Sequence, residues 1–224
     1  YELAISEYNK LLEHKAKILR SQEENPSLLY ILPDFTRRMA KCGAAVIRYR
    51  AFFAEKLAAE AAKIHEAVSG CGEQLGIQYQ TVSSVQDPKA PESQIEQWLL
   101  EHSESHAQAE LASAQCLTGP HKDDLQITIN GTAARGFASQ GQTRTAALAL
   151  KFAERQIMKD DCGEYPVMLL DDVLSELDGR RQEFLIQKAG GGQVVITCCE
   201  RTERLRQLDA TAFFVEKGTV RPMA

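Results

Sequence analysis

The sequence predicts an α/β protein: a lobe of mixed sheet with flanking helices over residues 119–224, joined to a mainly helical arm over residues 1–118 with a small strand region near 74–82. Three observations lead there. Val167 to Leu170 form a short unbroken apolar run between Pro166 and two acids, the pattern of a strand buried on both faces of a parallel sheet. Residues before 118 place apolar side chains mostly at helical spacing. Thr118-Gly119-Pro120 then breaks that pattern, and short alternating runs begin.

In chain order, Ile5, Tyr8, Leu11, Leu12, Ile18 and Leu19 mark an amphipathic helix that ends at Asn25-Pro26. Leu28 to Leu32 is a short apolar stretch stopped by Pro33. Asp34 is placed to cap a second helix running to about Val68, ended by Ser69-Gly70. On that helix Phe35, Met39, Val46, Phe53, Leu57 and Ile64 share one side. Arg37, Arg38, Lys41, Arg48, Lys56 and Lys63 lie nearly opposite, with Tyr49 and Phe52 beside them. Such a stripe reads either as a solvated helix face or as a phosphate-tracking surface for duplex DNA.

Gln74 to Val82 alternates weakly, and Gln86 to Pro91 is a loop. Ser93 and Glu96 form a capping box for a helix carrying Ile95, Trp98, Leu99 and Leu111. Its His102 and His106 have the i, i+4 spacing of zinc ligands, but Glu does not directly follow the first His and no third ligand is evident. A solvated helix surface is the expectation. Leu125 to Asn130 and the Asn130-Gly131 turn predict a hairpin leading to Phe137. A helix from Gln142 to about Lys159 follows, then the acidic strand, a helix from Leu177 to about Ala189, and a loose Gly190–Gly192 turn. The strand Gln193 to Thr197 and a terminal hairpin through Lys217-Gly218 complete the chain.

The chain is 224 residues long with a formal net charge of −5, so whole-chain charge does not point to nucleic acid and any such contact needs a local patch. No apolar run approaches the roughly 18 residues of a membrane span, and there is no signal-peptide or transit-peptide pattern. The six cysteines (Cys42, Cys71, Cys116, Cys162, Cys198, Cys199) show no C-x-x-C pair, which favours reduced thiols over a disulfide frame or zinc site. The chain opens at Tyr1 in the middle of a helical pattern, as a segment of a longer polypeptide does. It contains no internal repeat and no G-x-x-x-x-G-K-[ST].

Two stretches carry the chemistry. The strand ending in Asp171 and Asp172 delivers two carboxylates to a sheet edge, where a divalent cation is the usual compensation for their repulsion. The alternative is acids that cap the next turn. Ser139-Gln140-Gly141-Gln142 opens a helix and offers a hydroxyl and backbone N–H groups to an anion, aided by the helix dipole. The alternative there is an ordinary cap by Ser139.

Gly119-Pro120-His121-Lys122-Asp123-Asp124-Leu125, Ser139-Gln140-Gly141-Gln142, and the strand followed by Ser175-Glu176-Leu177-Asp178 occur in this order between residues 119 and 178. Together they resemble the RecF family of SMC-like, ABC-type ATPases. The resemblance implies the carboxy-terminal lobe of an ABC-type head, with the signature turn, Walker B strand and D-loop, plus an inserted helical arm. It also implies that the phosphate-cradling loop lies in an amino-terminal part, so that this segment alone is inactive and binds ATP weakly or not at all. In such proteins ATP sits between two copies of the head. Asp171 would help hold Mg²⁺ and Asp172 would orient or deprotonate the attacking water. Ser139, Gln140, Gly141, Gln142 and Arg144 would meet the γ-phosphate of the opposite copy's nucleotide, and Ser175 and Asp178 would cross the dimer interface. Many members of the wider superfamily carry a γ-phosphate-sensing His where Cys198 stands here, a departure that puts that contact in doubt and is consistent with slow turnover.

The family further implies a slow DNA-dependent ATPase that dimerises on ATP and acts in repair, replication, recombination and the SOS response. It would bind duplex DNA or single-strand/double-strand junctions and help load RecA at gaps with RecO and RecR, in the cytoplasm at the nucleoid and away from membranes. Three rivals remain at this stage. A RecN-type or other SMC-like ATPase should show long heptads. An isolated interaction module would use the arm and bind no nucleotide. A metal-dependent nuclease on Asp171 and Asp172 would need further acids and a basic residue converging there, which the sequence does not reveal.

Overall fold

A computed structural model describes residues 1–70, 72–199, 205 and 210–223; Cys71 lies outside them. The chain divides into two compact units, Tyr1–Ile157 and Met158–Ala224. Residue 118 falls inside the first unit, whose sheet is built from strands on either side of it.

The first unit is organised around α2 (Leu32–Ser69), which packs against α1 (Glu2–Arg20), α3 (Glu92–Ser113) and β1 (Leu75–Gln80). Pro33 does not stop the chain as the sequence suggested. It sits in the first turn of α2, where its missing N–H has no helical partner to lose, and Asp34 is a first-turn acid with no capping bond. Gly70 closes the helix with φ of 82°, the left-handed cap its lack of Cβ permits. Ser93 likewise lies within α3, behind the extended Pro91.

The buried side of α2 is broader than its large apolar residues indicated. Ala40, Gly43, Ala44, Ala51, Ala54 and Ala61 are also buried, and these small side chains let the neighbouring helices approach. β1 pairs antiparallel with β2 (Asp124–Ile129), from Leu75 opposite Ile129 to Gln80 opposite Asp124. The turn to β3 (Thr132–Ala133) has positive φ at both Asn130 and Gly131, as a two-residue hairpin of this type requires. A single irregular turn, α4 (Ala134–Phe137), leads into α5 (Gln140–Cys162). Ala146, Ala149, Ala153 and Ile157 of α5 form one face, packed with Leu57 and Ala61 of α2, Leu75 of β1 and Ile129 of β2. That packing fixes the helix whose first turn is the Ser139–Gln142 stretch.

The Gly119–Leu125 motif has a structural role that spacing alone did not reveal. Gly119 has φ of 128°, and a Cβ there would lie 2.1 Å from the Tyr8 hydroxyl. Tyr8 bonds Nδ1 of His121 at 2.6 Å, and His121 Nε2 meets the Cys116 carbonyl at 2.9 Å. The imidazole therefore donates from Nε2 and accepts at Nδ1. Burial holds its pKa below the usual range, which suits this neutral form. Arg50 donates to the Pro120 carbonyl at 2.7 Å and to Asp123 at 2.9 Å, and the Tyr79 hydroxyl also donates to Asp123. Burial pushes the Asp123 carboxyl up, against the opposing pull of Tyr79 and Arg50. The motif thus ties α1, α2 and β1 together at the start of β2.

In the second unit β4 (Met168–Asp171) pairs in parallel with β5 (Val194–Thr197), Asp171 opposite Thr197. α6 (Gly179–Ala189) lies between them in sequence, and β6 (Phe213–Glu216) and β7 (Thr219–Pro222) form a separate hairpin. Among the described residues the expected mixed sheet is therefore three small sheets, one of them parallel. Within these 224 residues Met168 and Leu170 are buried, while Leu169 is 73% and Val167 57% exposed.

Candidate functional site

The two stretches singled out from sequence fall in different units: the Ser139–Gln142 turn in the first, the carboxylate strand and the loop after it in the second.

The turn is a reciprocal cap. The Gln142 N–H donates to Ser139 Oγ at 3.2 Å, and the Ser139 N–H donates to Gln142 Oε1 at 2.9 Å. Ser-x-x-Gln is the sequence form of this box, in which a side chain and a backbone amide satisfy each other across the first helical turn. The ordinary-cap reading and the anion reading therefore hold together. Ser139 Oγ is used as an acceptor, its hydroxyl proton stays available, and the amides of Gln140 and Gly141 have no acceptor among the described residues. Thr143 Oγ donates back to the Ser139 carbonyl at 3.1 Å and Thr145 Oγ to the Gly141 carbonyl at 2.8 Å, which stiffens the turn. Gln142 Nε2 is held by Glu73 at 2.8 Å. Arg144 is half-buried, and Phe137, two residues ahead of Ser139, is 78% exposed.

In the second unit Asp171 and Asp172 stand at the carboxyl end of β4, both exposed. Thr197, directly across on β5, organises them. Its hydroxyl donates to Asp171 Oδ1, while the Asp172 N–H meets Thr197 Oγ at 3.0 Å and the Thr197 carbonyl at 3.2 Å. Asp172 has φ of 48°, the left-handed region, in which non-glycine residues are uncommon and which favours functional positions. The Ser175 hydroxyl donates to the Asp172 carbonyl at 2.8 Å, so this peptide is pinned from both sides.

Asp178 is the N-cap of α6, accepting the amides of Arg180 at 3.1 Å and Arg181 at 3.0 Å and pairing with the Arg181 guanidinium. The Arg181 amide, chiefly, holds its carboxyl below the usual range. Gln182 reaches back to the carbonyls of Leu174 at 2.8 Å and Leu177 at 3.1 Å, bracing the loop. Cys198, the residue after Thr197, is exposed.

The donors at β4 fit Mg²⁺ in one particular way. Asp171 keeps an oxygen beyond the one Thr197 occupies, and Mg²⁺ takes one or two carboxylates while holding waters and substrate phosphates. Among the described residues no three His, Cys, Asp or Glu side chains converge on a metal position. The arrangement suits a cation shared with phosphate.

On the arm, Arg37, Arg38, Lys41, Lys56 and Lys63 are exposed and Arg48 is half-buried over the Phe52 ring at 5.3 Å. Arg37, Arg38 and Lys63 already pair with Asp34, Glu7 and Glu60. His102 and His106 stack at 4.0 Å, with Nδ1 of the first bonded to Thr118 Oγ and Nδ1 of the second to the His102 carbonyl. Burial pushes the Cys116 thiol up to about 11, so it is no reactive thiolate at neutral pH.

Sequence reasoning missed Thr197, Gln182 and Glu73. Thr197 was legible as a polar residue ending a strand that could neighbour the acidic one. Glu73 carried no local signal, because its partner lies 69 residues away.

No family model matches the chain. Among curated proteins it is similar to the DNA replication and repair protein RecF of Clostridium tetani, with 34% identity over 221 residues, 97% of this chain and 59% of the relative. The RecF protein of Listeria monocytogenes is 39% identical over 228 residues, again 97% and 59%. The chain spans about three-fifths of the length of these relatives. Among solved structures it superposes on one described as the recombination mediator protein RecF-ATPrS in the RecFOR pathway, with a TM-score of 0.88, 32% identity, and coverage of 100% of this chain and 59% of that one. The corresponding RecF-ATP structure gives 0.87 at 32% identity.

Proposed function

Over its own length the chain belongs to the RecF family, and from that premise we propose that it supplies the signature turn and the catalytic carboxylates of an ATP-driven DNA-repair clamp. A phosphate-cradling loop from a part of the protein outside these 224 residues would hold ATP on each copy. The turn Ser139–Gln142 of a second copy would close over the γ-phosphate. The observation that carries this is the first turn of α5: an exposed hydroxyl proton and two acceptor-free amides at a helix N-terminus, held rigid by the reciprocal cap.

Each residue then has a task. Ser139, with the amides of Gln140 and Gly141, would donate to the γ-phosphate, and Arg144 would add positive charge in the next turn. Asp171 would hold Mg²⁺, whose chemistry is to neutralise phosphate charge. Asp172 would accept a proton from, or orient, the attacking water. Phosphoryl transfer needs positioning and charge neutralisation more than covalent help, which suits this sparse set. Ser175 fixes the Asp172 peptide and Asp178 fixes the start of α6, so the loop between them would present a defined surface to the partner copy. Nucleotide shared between copies makes dimerisation depend on ATP.

The RecFOR description of the similar structures supports DNA, RecO and RecR as partners in general; the same proposal has the protein help load RecA at single-strand gaps, in the cytoplasm at the nucleoid. No described helix is long and apolar enough to cross a membrane. For DNA, the basic stripe on α2 is the proposed contact, with phosphates exchanging for the acids that now pair Arg37, Arg38 and Lys63. Exposed pairs of this kind contribute about 1 kcal/mol or less, so the exchange is inexpensive. Replacing Lys41 and Lys56 by Glu in the whole protein is expected to weaken DNA binding and flatten its salt dependence by about two to four counterions. An unchanged slope would move the contact elsewhere.

The direct test of the clamp is mass in solution of the whole protein with and without MgATP. ATP should convert monomer to dimer, and Ser139→Arg, which fills the γ-phosphate position, should abolish the conversion. If ATP leaves the mass unchanged, the turn is a helix cap only and the segment is an interaction module.

A further inference from the structure

We infer that Glu73 and His65 are positioning residues for the signature turn, acting through the side chain of Gln142; their functional consequence rests on the reading of that turn as the ATP contact. Gln142 uses both ends of its amide. Its Oε1 accepts the Ser139 N–H at 2.9 Å and its Nε2 donates to Glu73 Oε1 at 2.8 Å. An amide can rotate by half a turn at little intrinsic cost, and the two orientations differ in what they offer. With the other orientation, Nε2 would face the Ser139 N–H, donor against donor, and Oε1 would face a carboxylate, acceptor against acceptor. Glu73, an acceptor only when ionised, therefore selects the orientation that closes the reciprocal cap. The charge-assisted bond is stronger than a neutral one would be.

Behind Glu73 stands His65 of α2. It is fully buried, and neither ring nitrogen has a hydrogen-bond partner among the described residues. A buried imidazole left in that state is costly and calls for an explanation. Its Nε2 lies 3.7 Å from Glu73 Oε2, which is itself buried and without a hydrogen bond. A movement of roughly 0.5–1 Å brings the two atoms to hydrogen-bond distance, and the imidazole then fixes the second carboxylate oxygen while the first holds Gln142. The chain His65–Glu73–Gln142–Ser139 thus runs from the middle of the first unit's core to the hydroxyl that faces the γ-phosphate.

The test compares Glu73→Leu with Glu73→Gln, whose own carbonyl can still accept from Gln142. In the 224-residue chain, hydrogen exchange at the Ser139 and Gln142 amides should accelerate about tenfold in Glu73→Leu and stay near wild type in Glu73→Gln, with exchange in α3 unchanged in both. In the whole protein, the MgATP concentration for half-maximal dimerisation should rise about tenfold for Glu73→Leu alone. Unchanged exchange at Ser139 and Gln142 in Glu73→Leu would overturn the inference. So would Glu73→Gln behaving like Glu73→Leu, or exchange rising throughout α2 and α5, which marks a general loss of stability. If the two amides respond as expected but wild-type protein never dimerises on MgATP, the positioning tie is supported and the nucleotide reading fails.

Discussion

Asp172→Asn in the whole protein is expected to lower ATP turnover by about 10²- to 10⁴-fold, the usual contribution of a positioned general base, while ATP still drives dimerisation. The structure says why the substitution separates the two. Asp172 has φ of 48°, and Asn is one of the few residues that adopts this conformation readily. The contacts that pin the peptide, from its N–H to Thr197 and from Ser175 to its carbonyl, are made by backbone atoms of residue 172 and survive the change. Only the carboxylate's basicity is lost. Single-turnover hydrolysis reads the chemical step directly. A fall of less than tenfold would remove Asp172 from the chemistry and leave its left-handed backbone as a feature of the turn.

The second large effect concerns stability. Lys15 of α1 and Glu110 of α3 form an ion pair at 2.6 Å with both side chains 4% exposed, and Glu110 also accepts the Leu117 N–H at 2.7 Å. Removing one partner leaves a buried charge without its counterion. Lys15→Met or Glu110→Leu alone should therefore cost about 3–5 kcal/mol in unfolding free energy. The double substitution should recover most of that loss, because desolvation of the pair offsets much of its attraction; the Leu117 amide, left without its acceptor, keeps the recovery incomplete. Urea unfolding of the three variants measures the cycle. Additive losses in the double variant would mean the two side chains contribute independently, by packing alone.

How far such features were legible in the sequence depends on their range. The amphipathic helices, the Asn130-Gly131 hairpin and the terminal hairpin through Lys217-Gly218 are written locally, in periodicity and in turn residues whose φ is positive in the structure. So are the strand with its two acids and the Ser-x-x-Gln cap. Pro33 was misread because proline stops a helix only from its interior, and local sequence does not say which turn it occupies. Lys15 with Glu110, Tyr8 with His121, Arg50 with Asp123 and Glu73 with Gln142 were invisible for one reason. Each partner is an ordinary polar residue on its own element, and only the packing of helices on α2 brings them together.

The measurement that addresses the composite site most directly is ATP turnover of an equimolar mixture of two inactive whole-protein variants, Ser139→Ala and Asp172→Asn. In a symmetric dimer with each site shared between copies, a mixed pair joins the intact turn of one subunit to the intact carboxylates of the other. Half of the dimers are then mixed and each has one complete site, so activity should return to about a quarter of wild type. If the mixture stays as inactive as its components, the turn and the carboxylates do not serve one nucleotide across two copies, and the clamp is contradicted.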